Sequence, residues 1–172
     1  MLTVPFTVFQ HTLSHLHATR PSSAASAQIA ALSLHLMEIT KLTEQRLLAA
    51  YGLSSAESLA LRVLLQSERD DRPLSPKHLA ALLHRPAASL SYVLTSLERR
   101  GLLERDHHPD DQRSYILRAT PAAATLIDTI YQQLHAPLAA AVTELPEGHA
   151  EHVAAFLLDA VTRASTDTVA VS

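Results

Sequence analysis

The chain contains no cysteine, no tryptophan and only three glycines in 172 residues. Without cysteine, disulfides, thiolate metal ligands and thiol-based redox sensing are all excluded. So few glycines, beside abundant alanine and leucine, suit a mostly helical protein, because glycine is costly inside helices and the other two favour them. No apolar run approaches the roughly 20 residues of a membrane span. The first residues also lack the charged and then apolar pattern of a secretory signal. These absences lead us to expect a soluble, cytoplasmic protein with no membrane partner. The formal net charge of −3 gives no bulk attraction for nucleic acid, but it leaves room for a locally basic surface.

What is present is one domain's length of periodic apolar sequence, enough to bury a core. Residues 3–19 carry Phe6, Phe9, Leu13 and Leu16 at helical spacing behind Pro5. After the break "RPSSAAS", the spacing predicts a long helix from about Ala25 to Ala50. Ile29, Leu32, Leu36 and Ile39 form its apolar face and Gly52 is its stop. Ser54 and Glu57 have capping-box spacing and open a helix expected to bury Leu59, Val63 and Leu64. Ser75-Pro76 starts a second short helix, and a third runs from about Pro86 to Arg100 and stops at Gly101. "LLERD" and "SYILRA" read as short strands with turn formers between them. Thr120-Pro121 caps a helix to about Glu144, with Pro137 as the point of a kink. A last helix follows Pro146 and runs to about Ala164.

Three quick helices followed by a two-stranded hairpin give the order of a winged helix-turn-helix. The third helix is the informative one. Leu90, Val93, Leu94 and Leu97 make one apolar stripe, and at 100° per residue the other side carries Arg85, Ala88, Ser91, Tyr92, Thr95, Ser96 and Arg99, with Ser89 at its edge. That face is small and polar and holds no acid. Short hydroxyl side chains let a helix backbone approach base edges, and arginines reach guanine or phosphate. The alternative is an ordinary solvated face, and the flanking helix and hairpin favour the DNA reading.

From Leu74 to Thr120 the chain resembles the multiple-antibiotic-resistance regulator (MarR) family of bacterial transcription factors. The residues that carry the resemblance are "LSPKHLAALL", "SLSYVLTSLERRGLLER" and "HPDDQRSYILRAT". With the flanking long helices it extends over about residues 25–165. It implies a mainly α fold with a small two-stranded wing between long N- and C-terminal dimerisation helices. The expected division is an N-terminal extension over 1–24, a dimerisation region over 25–52 and 121–166, a winged helix-turn-helix over 53–120 and a flexible tail over 167–172. Carried over by position, Arg113 is the wing arginine that enters the minor groove, and Asp111 holds it. Ser89, Ser91, Tyr92 and Thr95 face the bases, and Arg85, Arg99 and Arg105 are further DNA contacts. Ser75 and Lys77 contact phosphates at a helix start. The family often has a basic residue where Tyr92 stands, which leaves the operator sequence open. His107 and His108 fall near the phosphates, where protonation at low pH would add attraction.

The function expected is that of a homodimeric, ligand-responsive regulator, most often a repressor in this family, on pseudo-palindromic double-stranded DNA. Leu126, Ile127, Ile130 and Leu134, with Val153, Phe156, Leu157, Leu158 and Val161, read as a mutual interface. The resemblance implies a small aromatic or phenolic effector, for which His35, Arg46 and Tyr51 are the polar candidates. No cofactor is expected. A rival reading is metal sensing through His11, His15 and His17, through His149 and His152 with Glu147 and Glu151, or through His107 and His108 with Asp110. None of these sets has a strong zinc motif. Another rival is a winged-helix module that binds proteins and does not read DNA. An enzyme is not expected, because there is no nucleophile elbow, phosphate loop or convincing triad.

Overall fold

Ser23 opens the first helix, α1 (Ala24–Ala50): its hydroxyl accepts from the Ser26 amide and the Ser26 hydroxyl accepts in return. This computed structural model describes residues 23–107, 115–146 and 148–169. The expected helix over 3–19, with its three histidines, lies outside the described residues. So do His108, Pro109, Asp110, Asp111 and Arg113, between the two strands in sequence, and Glu147. Contacts divide the chain into one unit ending at Ile130 and another beginning at Tyr131.

Helix α2 (Ser55–Arg69) begins at Ser54, whose expected capping box with Glu57 is complete. Helix α3 (Pro76–Leu82) follows, with Ser75 as N-cap and proline at its first position. Helix α4 (Ala87–Arg99) runs into strands β1 (Leu103–His107) and β2 (Tyr115–Ala119). The strands pair antiparallel, with Leu103 opposite Ala119 and His107 opposite Tyr115. Four chain reversals share one device, a residue with positive φ just past a helix end: Gly52, Asp71, His84 and Gly101. There the backbone turns left-handed so that the next amides reach back to orphan carbonyls, as Leu102 does to Leu97 and Arg85 to Ala80.

The core of the first unit is aliphatic. Leu61, Leu64, Leu79, Leu90, Leu97, Leu117 and Ile130 are fully buried, and each such side chain contributes about 1.5–3 kcal/mol by leaving water. Helix α2 packs on β2 and α4, α3 packs on α4, and α4 packs on β1. Two ties were not visible in the sequence. The Leu117 amide donates to the Leu74 carbonyl at 2.8 Å, so the segment before α3 bridges to the sheet. The Ala119 amide donates to Glu68 Oε1 at 2.8 Å, which fixes β2 to α2. The core of α2 also differs from expectation. Leu64 is buried but Val63 only partly, and Leu59 is 40 % exposed. The buried stripe passes through Ser58 and Leu61, on the other side of the helix.

Helix α5 (Pro121–Thr143) starts at Thr120, whose hydroxyl accepts from the Ala123 amide and donates to the Gly101 carbonyl. It runs on through Pro137. Helix α6 (His149–Val169) continues five residues past the expected end at Ala164, into the expected tail. Hydrogen bonds one turn apart, Thr162 to Leu158 and Arg163 to Asp159, support its last turns. Among the described residues, no single helix is long and apolar enough to cross a membrane.

Candidate nucleic-acid interface

Helix α4 has one buried and one open side. Leu90, Leu94 and Leu97 hold it to the core, while Ser91, Tyr92, Thr95 and Arg99 are exposed. At 100° per residue these four lie within about 100° of arc. Tyr92 is wide open, at 80 % exposure. Arg85, in the turn before the helix, is also exposed, and Ser89 is half-buried at the edge. Lys77 is exposed at the start of α3, while the Ser75 hydroxyl is half-buried and caps that helix by accepting from the His78 amide at 3.3 Å.

Two of the expected positions are engaged otherwise. Ser96, expected on the open side, is half-buried, and its hydroxyl donates to Glu57 Oε1 at 2.7 Å. Arg105 forms a forked pair with Glu98 of α4, with Nη2 3.0 Å from Oε2. Its guanidinium also lies 5.9 Å from the centroid of the Tyr115 ring, within range of a cation–π contact. The acid at the margin of α4 is thereby neutralised by the first wing strand. His107 is exposed, with its ring centroid 6.2 Å from that of Tyr115. Arg118 pairs with Asp106 across the two strands.

Behind this surface sits a buried carboxylate whose second role sequence reading missed. Glu57 Oε2 accepts from both the amide and the hydroxyl of Ser54, each at 2.8 Å. Its Oε1 takes the Ser96 proton and lies 3.8 Å from Arg100 Nη1. Arg100 in turn donates to the carbonyls of Gly52 and Tyr51, at 2.8 and 3.3 Å. Burial alone would raise the pKa of Glu57, but the Ser54 amide, the two hydroxyls and the Arg100 charge outweigh it. The carboxyl is held below its ordinary value. The capping-box spacing signalled Glu57 as a helix start and gave no hint of the contact 39 residues away.

The effector candidates do not converge within the chain. His35, Arg46 and Tyr51 are strung along α1 and its C-cap, with His35 and Arg46 roughly 16 Å apart at 1.5 Å rise per residue. His35 faces Glu38 at 4.0 Å. A groove of about 240 Å³ does lie between α3 and α4, with Leu90 and Leu94 in its floor and Lys77, Ser91 and Arg105 among its polar lining. Among the described residues, no three histidine, aspartate or glutamate side chains converge as a metal would require.

The apolar faces of the long helices divide unevenly. Ile127, Ile130 and Leu134, expected in a mutual interface, are already buried within the chain, and Leu126 is half-buried. Ile29, Leu32, Leu36 and Ile39 of α1 stay 46–49 % exposed. Val153, Phe156, Leu157, Leu158 and Val161 of α6 are exposed as well.

Several solved structures share this fold. No curated protein sequence matches the chain significantly. In fold it is similar to Staphylococcus aureus MepR in a MepR–DNA complex, with TM-score 0.65 and 20 % identity over 78 % of this chain and 98 % of that one. It is likewise similar to the YusO protein of Bacillus subtilis, with TM-score 0.67 and 17 % identity over 82 % and 99 % of the two chains. The transcriptional regulator Tm0710 of Thermotoga maritima matches with TM-score 0.61 and 18 % identity over 82 % and 96 %. Residues 51–114, from the end of α1 to the residue before β2, match the sequence model of the MarR family. Its winged helix-turn-helix thus carries a MarR-family sequence match, in a fold shared with these solved structures.

Proposed function

We propose that this protein is a homodimeric repressor that reads a pseudo-palindromic operator, with α4 in the major groove and Arg113 in the adjacent minor groove. The observation that carries the reading is the open side of α4. Ser91, Tyr92, Thr95 and Arg99 form a continuous exposed surface, and the nearby acid, Glu98, is neutralised by Arg105. A helix held by a leucine stripe and open on a small, polar, cationic side suits a groove about 12 Å wide. The dimer reading is supported by the apolar faces of α1 and α6, whose side chains are exposed. One recognition helix contacts few base pairs, and two half-sites a helical turn apart supply the specificity. A MepR–DNA complex in the same fold adds support by analogy.

The effector is a small aromatic or phenolic molecule. It acts by favouring a dimer whose winged domains no longer match successive grooves. Metal sensing is the weaker reading, because among the described residues no three metal-ligating side chains converge.

The test is fluorescence anisotropy on the intergenic DNA upstream of the gene, with the full chain and with Arg113→Ala and Tyr92→Ala. Tight binding that falls steeply with salt, and that weakens about tenfold or more in either variant, is the expected result. DNA affinity that is absent, or indifferent to salt and to both substitutions, overturns the regulator reading.

A further inference from the structure

The leucine stripe of α4 says which side of the helix is buried, but not its exact rotation. Apolar contacts are non-directional, and Leu90, Leu94 and Leu97 would stay buried through modest rotation or sliding. Hydrogen bonds are directional and short-ranged. Among the described residues, α4 makes two such anchoring contacts with the segment Tyr51–Glu57. They are Ser96 to Glu57 at 2.7 Å, and Arg100, at the helix end, to the Gly52 and Tyr51 carbonyls at 2.8 and 3.3 Å. Ser96 lies next to Thr95 and one turn from Tyr92, so its anchor sets where both point.

We propose that Glu57, Ser96 and Arg100 are positioning residues for DNA reading: they fix the rotation of α4, and so decide which side chains of its open side meet the bases. This rests on the regulator reading above and deepens it. Glu57 is suited to the role because all its acceptor sites are directed. Ser54 holds Oε2 from the start of α2, leaving Oε1 for Ser96 and Arg100. Arg100 supplies the second link, because its two nitrogens grip successive carbonyls at the end of α1. A displacement at the α1–α2 junction is therefore carried to the end of the recognition helix through a hydrogen-bonded path and not only through packing. The device differs from a plain helix cap in what it predicts. A cap stabilises the fold, whereas a rotational anchor separates sequence-specific from non-specific affinity.

The experiment compares affinity for the upstream intergenic fragment with affinity for an unrelated duplex of the same length. It uses the wild-type chain, Ser96→Ala and Arg100→Lys, with folding checked by circular dichroism and thermal melting. Both substitutions leave the net charge unchanged, so the phosphate contribution to binding is preserved. In the folded Ser96→Ala variant, the ratio of specific to non-specific affinity is expected to fall about tenfold, the scale of one lost base contact, while binding to the unrelated duplex stays at the wild-type value. Arg100→Lys is expected to do the same. A ratio equal to wild type in folded Ser96→Ala overturns the inference while leaving the regulator reading intact. If Ser96→Ala does not fold, Arg100→Lys decides on the same terms. A wild-type chain with no preference for the intergenic fragment overturns both.

Discussion

Ser96 on α4 donates to Glu57 Oε1 at 2.7 Å, and this single bond joins the edge of the proposed DNA-facing surface to a buried carboxylate on α2. Glu57 is held below its ordinary pKa of 4.5 against the opposing effect of burial. Its charge therefore stabilises the fold above pH ~4.5, and that contribution disappears as pH falls through the lower folded-state value. Wild type is expected to lose stability across this acidic window more steeply than Glu57→Gln. Urea midpoints at pH 7 and at successive steps below pH 4.5 check it; parallel profiles for the two chains would sink the assignment.

His84 occupies a left-handed position, with φ of 47°, at the turn between α3 and α4. A side chain there costs about 1–2 kcal/mol of backbone strain, and glycine relieves it at some expense in unfolded-state entropy. His84→Gly is expected to raise stability by about 0.5–1 kcal/mol, and His84→Val to lower it. Chemical denaturation with an unchanged m-value is the measurement.

Ser58 is 2 % exposed, and its hydroxyl has no hydrogen-bond partner among the described residues. A buried hydroxyl without a partner costs about 1–3 kcal/mol. Ser58→Ala removes the polar atom and leaves almost no cavity, so the melting temperature should rise by several degrees. A fall would show that the hydroxyl is satisfied in the folded protein.

Glu98 neutralises Arg105 at the edge of the proposed DNA surface. Glu98→Gln removes one negative charge and frees the guanidinium. Affinity for any duplex is expected to increase at low salt, with the salt dependence steepening by about one phosphate contact. Arg105→Ala has the smaller effect on binding. Salt titrations of both variants distinguish this from a purely structural pair, which would leave the slope unchanged.

In the proposed dimer, a charge on the exposed apolar faces of α1 and α6 is costly. Leu36→Glu and Leu157→Glu, both at half-exposed positions, are expected to shift the chain toward monomer in sedimentation velocity. Neither should unfold the first unit. A dimer that survives both substitutions would place the interface elsewhere.

Local chemistry was legible in the sequence wherever it is strong within a few residues. Ser54-x-x-Glu57, Ser75-Pro76, Gly52 and Gly101 marked helix boundaries to within a residue or two, because caps and left-handed stops are decided by adjacent backbone groups. The leucine stripe of α4 and its open polar side also followed from a period of 3.6. Leu59 was misplaced because α2 carries leucines at 59, 61, 64 and 65, which offers two stripes. The sheet and α4 selected the one through Leu61 and Leu64. Ile127 and Ile130 were read as interface because periodicity reports an apolar face and not what covers it.

The sequence by itself determined the order of the elements, most of their ends and most of the polar side of α4, all of which rest on contacts between near neighbours. Only the tertiary structure decided that Ser96 turns inward to Glu57, that Arg105 spends its charge on Glu98, and that Arg100 holds the end of α1. Those bonds span up to 49 residues. At that separation a side chain's partner is chosen by how helices pack, a choice that no local pattern encodes.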